Sequence, residues 1–282
     1  MLQPWMVPAD LAPGDAKSTG PDWTGFDLHR IRSIDDPHFA EAFGALWQEF
    51  GTKGEMETRD VITRRLARDS GPPSNGCTFE YELLLVKREN EFVAVRDHTV
   101  ILCPQHGMAV VHMSHNLVAP AWRRSGISGW MRALPVGAAR ASLAKRRLPA
   151  TWPIYLVAEM EHADPANEAR SIRLRAYERA GYRKVDPAVI DYLQPDFRTP
   201  GEIDANGGPR PLPLSLLVRE VAHSRLDSLP AAMVRRIVTC LYHMYGADFR
   251  AQDMDGLWMR LAALPGREQP IRLIAPTDVV SK

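Results

Sequence analysis

The chain has 282 residues, 45% of them hydrophobic, and a formal net charge of +1 at pH 7. That is enough apolar material for one full core with an extension, or for two small domains. The balanced charge excludes a global pull toward nucleic acid or an anionic membrane.

Residues 1–24 hold four prolines and two glycines without periodicity and read as a flexible N-terminal arm. Asp27–Ile34 reads as a first strand. Asp36-Pro37 fits an N-cap followed by proline in the first helical turn, and Phe39, Phe43, Leu46 and Trp47 form a helical stripe closed by Gly51. Met56–Leu66 is a second helix and Gly71–Gly76 a loop. Tyr81–Val86, Phe92–Leu102 and Met108–Val118 are β-branched runs separated by short polar turns, which predicts a meander. Ile127, Met131, Leu134, Ala138 and Ala141 step along a helix that Pro135 is expected to kink.

Ile154–Glu159 is short and apolar, as a central strand should be. Asp164-Pro165 or Asn167 caps the next helix, with Ala169, Ile172, Ala176, Tyr177 and Ala180 facing inward and Gly181 as its left-handed stop. Val185–Leu193 and Leu212–Val221 are later strands, with a flexible turn at Gly201–Arg210. Leu229–Tyr245 carries a helical stripe, with Ser228 as cap, Pro230 in the first turn and Gly246 as its stop. Met254–Leu264 is a last helix and Ile271–Ile274 a closing strand. The fold class is thus α+β, or mixed α/β. The expected division is an arm at 1–24, a domain at 25–225 and a helical extension at 226–282 packed on the same domain. A homodimer contact through that extension is left open.

Cys77, Cys103 and Cys240 are scattered, without metal-ligand spacing and without an even disulfide set. This suits a reducing compartment. No run approaches the length of a membrane span, and the N-terminus lacks a basic and apolar leader. A cytoplasmic protein without a metal is the expectation.

The segment from Val118 to Gly129 is the most informative in the chain. It joins an apolar strand to an amphipathic helix through a turn carrying Arg123 and Arg124. A helix start leaves backbone N–H groups without partners at the positive end of the macrodipole, which favours anions. Gly126 lacks a Cβ and permits close approach of backbone to a phosphate.

Arg123-x-x-Gly126-x-Ser128 resembles the Arg/Gln-x-x-Gly-x-Gly/Ala signature of the GNAT acetyltransferase superfamily, with serine in the last small position. Val118-x-Pro120 resembles the strand end that precedes that loop. Further on, Tyr177 to Gly181-Tyr182 is similar to the Tyr-x-x-x-Gly-Phe ending of that family's next helix. A helix and a strand lie between the two motifs in the same order, and the resemblance covers roughly Phe26 to Val221. It implies a mostly antiparallel central sheet flanked by helices, with the segment after 225 outside the minimal domain.

The implied activity is transfer of an acyl group from acetyl-CoA, or a related acyl-CoA, directly to an amine on a small molecule or peptide. By resemblance, Arg123, Arg124, Ser125, Gly126, Ile127, Ser128 and Gly129 hold the pyrophosphate, and a backbone N–H at Leu117 or Val118 polarises the thioester oxygen. Tyr177 occupies the position of the acid that protonates the departing thiolate; a phenol that titrates near ~10 keeps its proton at neutral pH.

Histidine titrates near ~6.5 and suits the base. His112 lies six residues before Val118, about 20 Å along an ideal strand. His115 is nearer but, without a bulge, points to the opposite face. Glu159 and Glu161 end the central strand, where Glu159 is a further base candidate. Arg140 with Lys145-Arg146-Arg147 is a basic run that reads as a solvated helix end, since the aromatic interleaving of a nucleic-acid site is missing. The other class of function open to the chain is a non-catalytic CoA-binding sensor or scaffold.

Overall fold

A computed structural model of the chain describes residues 10–12, 14–15, 23–68, 73–221, 223, 226–264 and 269–279. The β-branched middle of the chain forms the expected meander: β1 (Phe26–Ile31), β2 (Thr78–Arg88), β3 (Glu91–Cys103) and β4 (Met108–His112) pair antiparallel in chain order. The run expected as one strand to Val118 is broken, and β5 (Asn116–Val118) resumes the pairing with β3. Thr99 faces His112 while Arg96 faces Asn116, so three steps on β3 oppose four on its partner. That extra residue is a β-bulge at Met113–His115.

β6 (Ile154–Met160) lies beside β4 in the one parallel pairing of the main sheet. Beyond it come β10 (Ser215–Glu220), β7 (Arg183–Val185), β12 (Pro270–Ile274) and β11 (Ser228–Pro230), all antiparallel. The last sixty residues therefore add two strands to the sheet as well as helices. The run expected as a strand at Val185–Leu193 differs from expectation. Residues 186–192 leave the sheet after Val185, and β8 (Leu193–Gln194) pairs with β9 (Leu212–Pro213) as a small separate hairpin. The expected flexible turn is a short helix, α5 (Pro200–Ala205), held by a capping box between Thr199 and Glu202.

The two faces of the sheet carry different helices. Leu83, Leu85 and Val95 pack on α1 (Phe39–Glu49) and α2 (Arg59–Arg68). On the same face Val110, Val157 and Leu216 meet α6 (Ala231–Gly246) and α7 (Ala251–Ala262). The opposite face, with Val111, Leu156 and Leu217, is covered by α3 (Ile127–Lys145) and α4 (Glu168–Arg179). The result is a mixed α/β fold with a mostly antiparallel sheet, flanking helices and C-terminal helices.

Several local expectations are corrected. Asn167, not Asp164, caps α4 by accepting the N–H of Arg170. The buried residue within that helix is Leu174, while Ile172 is 54% exposed. Asp36 accepts the N–H of His38, one residue ahead of the first helix, and Ser228 lies in β11 rather than at a cap. Cys77 and Cys103 are disulfide-bonded, because the β2–β3 register sets residues 26 apart opposite one another. The free, buried Cys240 lies 3.4 Å from the Cys103 sulfur.

α3 runs through Pro135 as one continuous helix. Proline there withholds a donor from the carbonyl of Met131, one turn earlier. The fully buried Arg96 supplies the replacement, donating from Nη1 to that carbonyl at 2.8 Å.

The described residues of the expected arm are packed rather than loose. Asp10, Leu11, Ala12, Asp15 and Trp23 are all buried. No helix among the described residues is long and apolar enough to cross a membrane.

Candidate functional site

The bulge makes the site. Up to it, β4 and β6 run parallel in register from Ala109 opposite Ile154 to His112 opposite Val157, and the last bond joins the N–H of Met113 to the carbonyl of Val157 at 2.7 Å. Past this point the strands part. β5 stays with β3, while Ala158–Met160 remain paired only with β10. A slot with bare backbone on both walls is the consequence.

The two expected oxyanion donors are not equivalent. Bonded pairs alternate along an antiparallel ladder, and here the N–H of Asp97 is on His115 and that of Ala119 is on Val93. In that alternation Leu117 faces Val95 as a bonded pair, and Val118 is turned away from β3 toward the slot. Its carbonyl accepts Nε of Arg123 at 3.4 Å, in keeping with that orientation.

Gly126, at φ +95°, is the left-handed N-cap of α3, a conformation only glycine adopts freely. Ser125 closes the turn internally. Its hydroxyl donates to the carbonyl of Trp122 at 2.7 Å and accepts the N–H of Ile127 at 3.3 Å. The N–H of Gly129 bonds to the carbonyl of Gly126. Arg123 and Arg124 are exposed, Ser128 is half-buried, and Ile127 and Gly129 are buried. The positive end of the helix and both guanidinium groups therefore meet solvent beside the slot, while four of the expected amides, those of Arg123, Ser125, Ile127 and Gly129, are engaged within the turn.

On the α3–α4 face, Tyr177 is half-buried and packs edge-on to Tyr182 at 4.9 Å between ring centroids. The N-terminal segment lies beside it. Ala12 shares its apolar cluster, Asp15 forms a two-point ion pair with Arg132, and Asp10 is 2.6 Å from Arg140. The backbone of Gly14 abuts the carbonyl of Arg179, where no Cβ would fit. Burial pushes up the phenol of Tyr182, and Tyr177 adds to it.

The other face carries both histidines. His115 follows the bulge and so shares a face with His112, which corrects the expectation for a regular strand. Its backbone N–H and Nδ1 both meet Asp97 Oδ1, at 2.7 and 3.0 Å, and its Nε2 meets the carbonyl of Glu55 at 2.9 Å. Burial disfavours the imidazolium, but the Asp97 charge outweighs it and raises the pKa to about 9. A ring that is protonated and donates from both nitrogens is a clamp between the bulge and the segment after α1. It is not a neutral-pH base.

Glu159 is likewise committed. It accepts from His112 Nε2 at 2.9 Å, Gln194 at 2.9 Å, Tyr245 at 2.5 Å and the hydroxyl of Tyr192. Burial alone would raise its pKa, yet these donors hold it below the usual carboxylate value. It is a poor proton acceptor and a strong anchor. His112 is 3% exposed, and its second nitrogen, Nδ1, lies 3.0 Å from Ser114 Oγ.

Sequence reasoning missed Ser114, Tyr192, Tyr245, Asp97, Arg132 and Asp15. Only Ser114 left a signal, two residues from His112. The others reach the site by pairings that no local pattern encodes.

At the mouth, Glu55 is half-buried, and its pKa is raised by burial and by the charge of Glu161. Glu161 is held by Arg173 at 2.9 Å. A cavity of about 200 Å³ lies away from the slot, between α6, α7 and residues 189–192. Among the described residues no group of three or more metal-ligating side chains is assembled.

No protein-family model matches the chain. No curated protein matches either. Some solved structures resemble parts of the chain at low similarity. An aminoglycoside acetyltransferase from an uncultured soil metagenomic sample is 14% identical, covers 55% of this chain and 88% of its own, and has a TM-score of 0.34. An acetyltransferase from Streptococcus agalactiae is 12% identical, covers 70% and 99%, and scores 0.41. An acyl-CoA N-acyltransferase from Pseudomonas aeruginosa is 16% identical, covers 69% and 99%, and scores 0.33. With TM-scores below 0.5, these likenesses carry no argument about this chain, and no residue takes a role from them.

Proposed function

We propose that this protein is an N-acyltransferase that moves an acyl group from acetyl-CoA, or a related acyl-CoA, to an amine by direct transfer. One observation carries the reading: the strands part immediately beside a left-handed glycine that opens a helix, with Val118 turned into the gap. A thioester reaching into that gap from phosphates held at Arg123–Gly129 meets a preorganised N–H. Such a donor contributes roughly 3–4 kcal/mol to the transition state. Tyr177 donates the proton to the leaving thiolate. The acceptor is a small molecule or peptide amine, and the site uses no metal.

The test is binding. Calorimetry with CoA is expected to give a saturable site that Gly126→Asp abolishes, because the substitution places an anion and a strained backbone in the phosphate turn. Equal CoA affinity in the variant overturns the reading.

A second reading is a CoA sensor or scaffold without turnover. It is favoured by the engagement of His115 and Glu159 in internal bonds. Amine-dependent release of free thiol from acetyl-CoA decides against it.

A further inference from the structure

We propose that Ser114, His112 and Glu159 form a proton relay that carries the acceptor's proton out of the slot; this rests on the acyl-transfer reading. The three residues make an unbroken line. Glu159 Oε2 is 2.9 Å from His112 Nε2, and His112 Nδ1 is 3.0 Å from Ser114 Oγ. A carboxylate only accepts, so Nε2 carries hydrogen toward Glu159, and Nδ1 is left to accept from the serine hydroxyl. The ring is sealed from solvent at 3% exposure, whereas Ser114 is half-buried. Ser114 is therefore the outlet of His112.

Its place in the chain gives the outlet its use. The last bond between β4 and β6 is made by Met113, and Ser114 is the next residue, at the point where the strands part. The hydroxyl brings the path from the ring to the edge of the slot; Val118 is four residues further, about 13 Å along an ideal strand, and water in the slot carries the proton over that remainder.

The proton count closes. An ammonium acceptor gives one proton to Ser114 Oγ as the serine proton passes to His112 Nδ1, and the imidazolium so formed faces the Glu159 carboxylate. The freed lone pair forms the C–N bond at the thioester carbon. The C–S bond breaks, Tyr177 protonates the thiolate, and the second nitrogen proton returns to Tyr177. The relay releases its proton to solvent through Ser114. Ser114 takes the proton by way of the slot water, His112 acts through Ser114, and Glu159 positions the ring. The charged or titratable groups around the ring are Glu159 on β6, Tyr245 on α6 at 3.4 Å and, beneath the Tyr245 ring, Arg65 on α2.

The experiment follows thiol release from acetyl-CoA across pH 6–10. The acceptors are spermidine, tryptamine, kanamycin and a short peptide with a free N-terminus, with water as the acceptor where none exceeds the blank. Ser114→Ala is expected to lower kcat/KM about 10- to 100-fold at pH 7, in the range of general-base removal. The deficit should shrink above pH 9, where free amine or hydroxide replaces the base. Ser114→Thr, which keeps the hydroxyl, should retain activity. His112→Gln, which still donates to Glu159 but takes up no proton, should match Ser114→Ala.

Activity of Ser114→Ala within two-fold of the parent at every pH overturns the relay, as does a deficit that is the same at every pH. CoA affinity measured in parallel separates the two readings. A wild-type protein that neither binds CoA nor releases thiol overturns acyl transfer itself, whereas a binding and active wild type with an indifferent Ser114→Ala overturns the relay alone.

Discussion

Arg96 donates to the Met131 carbonyl at 2.8 Å, the acceptor that Pro135 leaves without its helical partner. The sheet thus repairs the helix, and the helix that carries the Gly126 turn stays continuous above the slot. A buried carbonyl left unpaired costs about 1–3 kcal/mol. Arg96→Met is therefore expected to destabilise the fold by about that amount, and by less in a Pro135→Ala background, where the helical N–H is restored. Urea unfolding of the four proteins measures the coupling. Strict additivity would show that the two residues do not share an acceptor.

The His115–Asp97 clamp makes stability depend on pH in two directions. The folded pKa of His115, about 9, lies above its ordinary 6.5, so its contribution is complete below pH ~6.5 and is lost as pH rises through ~9. Asp97 is held well below its ordinary 3.8 mainly against burial, by the His115 charge and bonds, so its contribution is present above pH ~3.8 and fades as pH falls further. His115→Gln should cost on the order of 1–3 kcal/mol at pH 6–7, and the difference from the parent should narrow by pH 10. A pH-independent difference would remove the imidazolium from the account.

Glu159 accepts from four side chains, and removing it strands their donors. Glu159→Ala should destabilise by about 3–5 kcal/mol, the usual consequence of breaking a buried charged network. Thermal unfolding checks this. A loss under 1 kcal/mol would mean that the network relaxes easily.

Tyr177→Phe keeps the ring's contact with Tyr182 and its place in the apolar cluster, so the variant is expected to unfold like the parent. Its kcat should fall about 10²-fold with CoA affinity unchanged, as for loss of a general acid. Equal turnover in the two proteins would assign the proton to another group.

Asp15 sits on Arg132 of α3, on the sheet face that also carries Tyr177. Asp15→Ala frees that guanidinium for an anionic ligand. A several-fold tighter CoA dissociation constant is the expected outcome of calorimetry, and a weaker one would mean that Asp15 supports the site instead of competing for it.

The elements were largely legible in the sequence, since apolar period and turn chemistry are local properties. The phenylalanine and tryptophan stripe of α1, the Gly126 start of α3, the Gly181 stop of α4 and the apolar β6 all announce themselves within one or two turns of chain. Residues 186–192 misled because Val189, Ile190 and Tyr192 have strand-like composition, yet Ile190 and Tyr192 bury themselves in the cluster of α6 instead of pairing and Val189 is exposed. Ile172 misled because the inner face of α4 is rotated toward Leu174.

The amino-acid order alone settled the strand–turn–helix at Val118–Gly129 and the mixed α/β class, because short-range sterics and periodicity decide both. Tertiary structure alone decided what the site residues do. One inserted residue at Met113–His115 turned His115 onto the face of His112, and contacts from positions as distant as Tyr245 and Glu55 fixed which nitrogens and carboxylates were already spoken for. Proton-transfer capacity depends on hydrogen-bond partners and burial, and these are set by folding across long sequence separations.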